Sequence, residues 1–322
     1  MTDPFSEVLR SIRLKGGIFL DSYFSAPWCV LAKVDAEDCK LHIENPAQMI
    51  GYHVLIEGEL LLSVDGHDPI TVREGEVVLL PRNDVHILAS DLSLPPVNAS
   101  ELIVPAPDGG IARIEHGGGG KPARVVCGFL GSDTVFNPLI ETLPQVLKVD
   151  VQESTSRAWI EASVRFAAAE LTKGNFAASD VMSRLSELLL VEAVRSYAGD
   201  MTEHEMDERA SGWLRGLADP YVGRALAAIH RDNSKSWTAE ELAREVSLSR
   251  SAFVERFTTL VGMPPIRYAT LWRLQTARQS LRDKRMTIAQ LAYSIGYESE
   301  EAFSRAFKRA FGLSPGRWRD AG

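Results

Sequence analysis

Two groups of residues in this chain have types and spacings that could do chemistry. The first is His53, His86 and Cys127, on three separate apolar runs. Two imidazoles and a thiol can hold a soft or borderline metal ion, bind an anion when protonated, or support oxidation of the sulfur. The same set is also compatible with hydrogen-bonded interior histidines and an inert buried cysteine. Cys29, beside Trp28, and Cys39 are further thiols whose reactivity to oxidants depends on thiolate character. The second group is Arg250, Ser251, Val254 and Glu255, echoed about fifty residues on by Glu300, Glu301, Ser304, Arg305 and Lys308. Projected from helices, such a mixture can hydrogen-bond base edges and phosphates.

Elements must place these side chains. Residues 15–135 read as β. Short apolar runs such as Tyr52–Ile56 and Leu60–Val64 are punctuated by Glu57-Gly58, Asp65-Gly66 and Glu74-Gly75, a turn spacing of about 8–12 residues that suits a small sandwich or barrel. His53 and Gly51 share a strand face because side chains alternate. Residues 92–122, rich in Pro and Gly with the run Gly117–Gly120, predict a mobile loop. From about 153 the period turns helical, over Ser156–Leu171 and Ser179–Tyr197. The second of these is apolar on two faces: Val181, Leu185, Leu188 and Leu189 on one, Leu190, Val194 and Tyr197 on the other. It therefore needs two partners, pointing to a dimerisation helix, with a buried helix of one chain as the alternative. Residues 199–211 are polar and read as a linker.

The C-terminal third repeats itself. Thr238–Phe257 and Thr287–Phe307 each give a helix, a tight turn and a second helix, closing on Gly262-Met263-Pro264-Pro265 and Gly312-Leu313-Ser314-Pro315. Ser249 and Ser299 are expected N-caps, and Gly296 is expected at positive φ. Phe253/Phe257 and Phe303/Phe307, at i,i+4, should face inward, leaving the second group of residues outward. A helix-turn-helix puts its second helix in the DNA major groove.

Residues 213–319 resemble the AraC/XylS DNA-binding domain, on Asp219-Pro220, Trp237-Thr238, Leu242-Ala243, Ser249–Phe253, Trp272-Arg273-Leu274, Ile295–Ser299, Ala302–Lys308 and Gly312-x-Ser314-Pro315. The resemblance implies two helix-turn-helix units on one linker helix, and base-reading positions on the outward faces. Gly75–His86 resembles the second cupin motif, with Asn83 in the glycine place, and His53–Gly58 resembles the end of the first. It implies the cupin-type sensor half of such regulators. Gly51 and Asn45-Pro46-Ala47 stand where metal-binding cupins carry their Glu and His-x-His, so the usual metal set is mostly missing.

Charge agrees with that division. From Tyr221 onward there are 17 Lys+Arg and 10 Asp+Glu, whereas the whole chain has a net charge of −8. A basic end that meets polyanions and an acidic body follow. Three cysteines among 322 residues cannot staple the fold, which favours a reduced compartment. Met1–Arg13 has no leader-like apolar core, and no uncharged apolar run approaches about 18 residues, so the sequence predicts a cytoplasmic chain without a membrane span. His116–Gly120 with Gly312–Gly316 mimics an esterase pair, but no histidine follows Ser314 to act as its base.

The sequence therefore predicts an α+β multidomain protein: a cupin-like β-barrel effector domain over 1–150, a helical dimerisation segment over 151–200, a linker over 201–212, and an all-α DNA-binding domain over 213–322 with helix-turn-helix units at 238–257 and 287–307. The expected function is a non-enzymatic transcription regulator binding double-stranded promoter DNA, acting with RNA polymerase as a homodimer, and controlled by a small-molecule or redox effector at His53, His86 and Cys127. No cofactor is required, with a metal ion at those three residues as a further possibility. The rivals are a cupin enzyme or metal-binding protein with an appended DNA-binding module, and a nonspecific architectural binder.

Overall fold

The computed structural model describes residues 15–34, 46, 48–105, 112–132, 140, 142–150, 187–194, 197, 212–281 and 286–320. They fall into two compact units, one of Arg13–Asp133 with Leu143–Met201, the other of Thr202–Gly322 with Met1–Ile12 and Thr134–Thr142. Cys39, the 156–171 helix and the 199–211 linker lie outside the described residues.

The first unit contains the strands β1 (Lys15–Ser25), β2 (Cys29–Ala32), β3 (Gln48–Glu57), β4 (Glu59–Val64), β5 (Ile70–Arg73), β6 (Glu76–Leu80), β7 (His86–Ala89), β8 (Val97–Asn98), β9 (Ala112–Gly117), β10 (Pro122–Ser132) and β11 (Leu147–Asp150), with a short helix α1 (Ala99–Leu102). One sheet runs β11-β6-β3-β10-β1-β9 and the other β5-β4-β7-β2-β8. Among the described residues neither sheet closes on itself. Along β4, Leu60, Leu62 and Val64 are buried while Glu59 is exposed, as alternation across a strand requires. These side chains meet Leu20, Phe24, Val30, Leu55, Leu80, Leu88 and Val125 in one core.

Two turn features depart from expectation. Where a mobile loop over 92–122 is expected, the described residues form β8, α1, β9 and a tightly packed glycine run, and 106–111 lie outside them. A Cβ on Gly117 would lie 1.8 Å from the Ser25 carbonyl oxygen, and one on Gly120 would lie 2.5 Å from that of Ala26. The amides of Gly118 and Gly120 donate to those same two carbonyls, and Gly119 N donates to Ser25 Oγ. The glycines serve close backbone approach. At the cupin glycine place, Asn83 has φ 51°, a conformation Asn tolerates better than most residues. Its amide accepts from Val34 N at 3.1 Å and donates to Val34 O at 2.8 Å.

Residues 187–194 are helical, and Leu189, Leu190, Ala193 and Val194 are buried within the single chain. In the first apolar stripe Leu189 is buried and Leu188 is 41% exposed, with Val181 and Leu185 outside the described residues; in the second, Leu190 and Val194 are buried.

The second unit holds α2 (Trp213–Ala218), α3 (Val222–Arg231), α4 (Ala239–Glu245), α5 (Arg250–Val261), α6 (Pro265–Ser280), α7 (Ile288–Ser294), α8 (Glu300–Phe311) and α9 (Pro315–Asp320). The repeat appears as α4–α5 and α7–α8. Thr238 with Glu241, and Thr287 with Gln290, close capping boxes on the first helices. Ser249 and Ser299 cap the second helices by accepting from Ala252 N and Ala302 N, and Gly262 and Gly312 end them in the left-handed region. In each turn one residue is left-handed, Ser247 at φ 61° and Gly296 at φ 78°. A Cβ on Gly296 would meet the Ser234 carbonyl oxygen at 1.9 Å. Gly296→Ala is therefore expected to destabilise this unit by more than the ~1–2 kcal/mol of a left-handed alanine alone. Ser247→Gly should relieve strain and raise the melting temperature. Thermal unfolding of the two variants checks the opposite signs.

Candidate functional site

The second helices of the two repeats, α5 and α8, are oriented from behind. Phe253, Phe257, Phe303 and Phe307 are fully buried, and each pair meets edge to face, with centroids 5.7 Å and 5.5 Å apart. Removing one such ring typically costs about 3–5 kcal/mol. With those positions inward, Arg250, Ser251 and Glu255 on α5 are exposed, and so are Glu300, Glu301, Arg305 and Lys308 on α8. Val254 and Ser304 are partly buried on the same faces. The structure thus brings the predicted residues onto two helix faces of one unit.

Sequence reasoning missed what holds these helices. Arg256 lies on α5 among the outward residues, yet its guanidinium is bound by Asp219, with Nε 2.9 Å from the carboxylate. The same Asp219 accepts from the amides of Tyr221 and Val222 at the start of α3. Burial opposes the Asp219 charge, and hydrogen bonds from Arg256 and those two amides more than offset it, so its pKa stays below the usual carboxylate value. Arg256 is thereby a clamp between elements. Behind α5, Trp213 Nε1 donates to Tyr268 Oη at 2.8 Å. Tyr268 Oη lies 2.8 Å from His230 Nε2, and the imidazole stacks on Trp272 at 4.0 Å. Behind α8, Arg278 lies over Trp318 at 4.4 Å and Phe311 at 5.3 Å, and burial lowers its pKa to about 10. The aromatic residues were visible in the sequence; their convergence on one histidine and one arginine was not.

In the first unit, register sets Cys127 opposite His53 across β10 and β3, while His86 begins β7 in the other sheet. His53 Nδ1 is 3.0 Å from Cys127 Sγ, and His53 Nε2 is 2.7 Å from His86 Nε2. His86 Nδ1 is 2.9 Å from the Asp84 carbonyl oxygen. A carbonyl only accepts, which fixes the row. His86 Nδ1–H donates to Asp84, leaving His86 Nε2 to accept from His53 Nε2–H. His53 Nδ1 then accepts from the Cys127 thiol. The row is neutral. Burial, then the neighbouring His86, holds the His53 pKa well below its usual value, and burial also lowers that of His86. Burial pushes the Cys127 thiol up to about 12 and raises that of Cys29 as well. Neither is a thiolate at neutral pH, so neither is primed for oxidation.

The three residues are a poor fit to a metal ion. The two nitrogens of His53 face opposite partners, so Cys127 and His86 do not converge on one point. Two ligands at about 2.0–2.1 Å on a tetrahedral ion lie roughly 3.3 Å apart, farther than the 2.7 Å seen between the imidazoles. Among the described residues no group of three or more His, Cys, Asp or Glu is arranged to hold a metal. The row instead borders a cavity of about 260 Å³ whose walls include Leu20, Phe24, Val30, Leu88, Ile103 and Ile114, with Lys33 among the lining residues.

Two capped, Phe-anchored helices at the same place in a repeat make up a double helix-turn-helix domain. Comparison with known proteins agrees. A Cupin family model matches residues 3–199 and a helix-turn-helix domain model matches residues 242–321. An AraC-like transcription regulator of Streptomyces antibioticus is 32% identical over 318 residues, covering 98% of each chain. The transcriptional regulator AlkR of Acinetobacter baylyi is 29% identical over 275 residues, covering 83% of this chain and 86% of its own. The DNA-binding domain of AdpA, solved in complex with a target DNA, is 27% identical over 32% of this chain and 93% of its own, with a TM-score of 0.30. The chain belongs to the AraC family of transcription regulators, with a cupin N-terminal domain. It is a DNA-binding regulator and not an enzyme. No helix among the described residues is long and apolar enough to cross a membrane.

The neutral imidazoles give a pH dependence with a definite sign. His53 and His86 bind protons more readily unfolded, near pH 6.5, than folded. Their contribution is complete above that pH and is lost as pH falls below it, by up to about 1.4 kcal/mol per pH unit for each imidazole. Denaturant titrations between pH 7.5 and 5 should show this loss in the transition of the first unit, and His53→Phe should reduce the slope.

Proposed function

We propose that the protein reads double-stranded promoter DNA with both outward helix faces, and that a small molecule enclosed in the sensor cavity controls this. The observation that supports the DNA contacts most is the recurrence of one outward, mostly polar face, Arg250/Ser251/Val254/Glu255 and Glu300/Glu301/Ser304/Arg305/Lys308, on two helices of one unit. Arg305 reads a base and Lys308 a phosphate. Arg305→Ala should cost about 1–3 kcal/mol on the operator and relax specificity there. Lys308→Ala should weaken all sequences alike and flatten the salt slope by about one unit. Fluorescence anisotropy on operator and random duplexes across a salt series separates the two. An operator affinity unchanged in Arg305→Ala removes the assignment.

The effector reading is supported by the position of His53, His86 and Cys127 on the wall of the cavity. Their donors and acceptors are directed at one another, so the buried part of a ligand meets mainly hydrocarbon. Lys33 is the cation among the lining residues and suits a polar or acidic end. His53→Ala with His86→Ala should leave operator binding without effector intact and abolish the transcriptional response. A normal response would move the input elsewhere.

The protein works in the cytoplasm, with RNA polymerase, as a homodimer formed through 151–200. Leu188, outward beside the buried Leu189, Leu190, Ala193 and Val194, supports that last point. Leu188→Glu should shift the dimer to monomer in sedimentation while the thermal transition stays in place, and operator affinity should fall as effective concentration is lost.

A further inference from the structure

Glu255 has no structural employment. It is the sixth residue of α5 and lies outside the first turn, where a carboxylate would gain from the helix dipole. It is exposed, and among the described residues its carboxylate has no ion pair or hydrogen bond. The acidic residues of α8 differ. Glu300 and Glu301 fill the first turn, and Glu301 is held below its usual pKa by its own backbone amide, the Ser299 side chain and Arg305. Nor does the adjacent Arg256 neutralise Glu255, because Asp219 binds it. A lone carboxylate therefore stands in the middle of a face that meets a polyanion, next to Arg250, Ser251 and Val254.

Phosphates repel such a group, and only base amino groups in the major groove can compensate it. Cytosine offers N4–H₂ flanked by the C5 edge. Adenine offers N6–H₂ beside the N7 acceptor, which repels the second carboxylate oxygen. Cytosine is the better match. The repeat adds a second constraint. Ser249 aligns with Ser299, Phe253 with Phe303 and Phe257 with Phe307, so Glu255 aligns with Arg305. Arginine in the groove pairs with guanine O6 and N7.

We propose that Glu255 is a specificity-determining residue that reads cytosine, and that the two recognition helices read one base-pair type in opposite senses, C at the first subsite and G at the matching position of the second. This rests on the reading that both faces enter major grooves.

Selection from a randomised duplex library with the full chain tests it. The wild type should enrich C at one position of the first subsite and G at the matching position of the second, and replacing that C should weaken binding by about 5- to 150-fold. E255Q should change the C to A, and E255R should change it to G, with the second subsite's G unaltered. E255A should tighten binding to random DNA while losing preference at that one position. The proposal is overturned if E255Q and E255R return the wild-type motif at every position, or if the position that responds is not C in the wild type. A wild type that enriches no motif, with R305A also unchanged, would instead overturn base reading by these faces altogether.

Discussion

The edge-to-face phenylalanine pair behind each recognition helix is the constraint from which the DNA-facing surface follows. Burying Phe253 with Phe257, and Phe303 with Phe307, leaves each helix one rotational setting. Caps at Ser249 and Ser299 then fix where the helix starts, and the left-handed Ser247 and Gly296 fix the angle at which the chain enters it. With start, angle and rotation determined, the identity of the outward residues is no longer free. The Asp219–Arg256 clamp acts in the same direction, since it ties α5 to the start of α3 and withdraws one cation from the set available to DNA.

The first unit is organised by a second constraint, the disposal of buried polar groups. His53 and Cys127 belong to one sheet and His86 to the other, so the imidazole–imidazole hydrogen bond is also a link between sheets. The Asp84 carbonyl sets the direction of every proton in that row. Burial keeps the row neutral.

Much of the DNA-binding unit was legible because its signals are local. Capping serines, i,i+4 phenylalanines and the turn glycine lie within a few residues of what they control, and the repeat displays each twice. The sensor was read less well. His53, His86 and Cys127 were identifiable as a group, but whether they ring a point or stand in a row depends on strand register and on which nitrogen faces which neighbour. The glycine run at 117–120 looked mobile because its partner, the Ser25–Ala26 backbone, is some ninety residues away in sequence. Asn83 looked like a defect in a motif, yet its side chain is a latch on Val34. The stripes on Ser179–Tyr197 implied two partners, and Leu189, Leu190 and Val194 find theirs within the same chain.

The central claim is that two equivalent, rigidly oriented helix faces read DNA together. Guanine-N7 methylation protection and hydroxyl-radical footprinting of the full-length protein on its operator test it most directly. Two protected major-groove segments about 10 bp apart on one side of the duplex are predicted for each protomer, because successive major grooves recur about every 34 Å. A single short protected segment would contradict the account, leaving one recognition helix reading bases and the other merely folded like it.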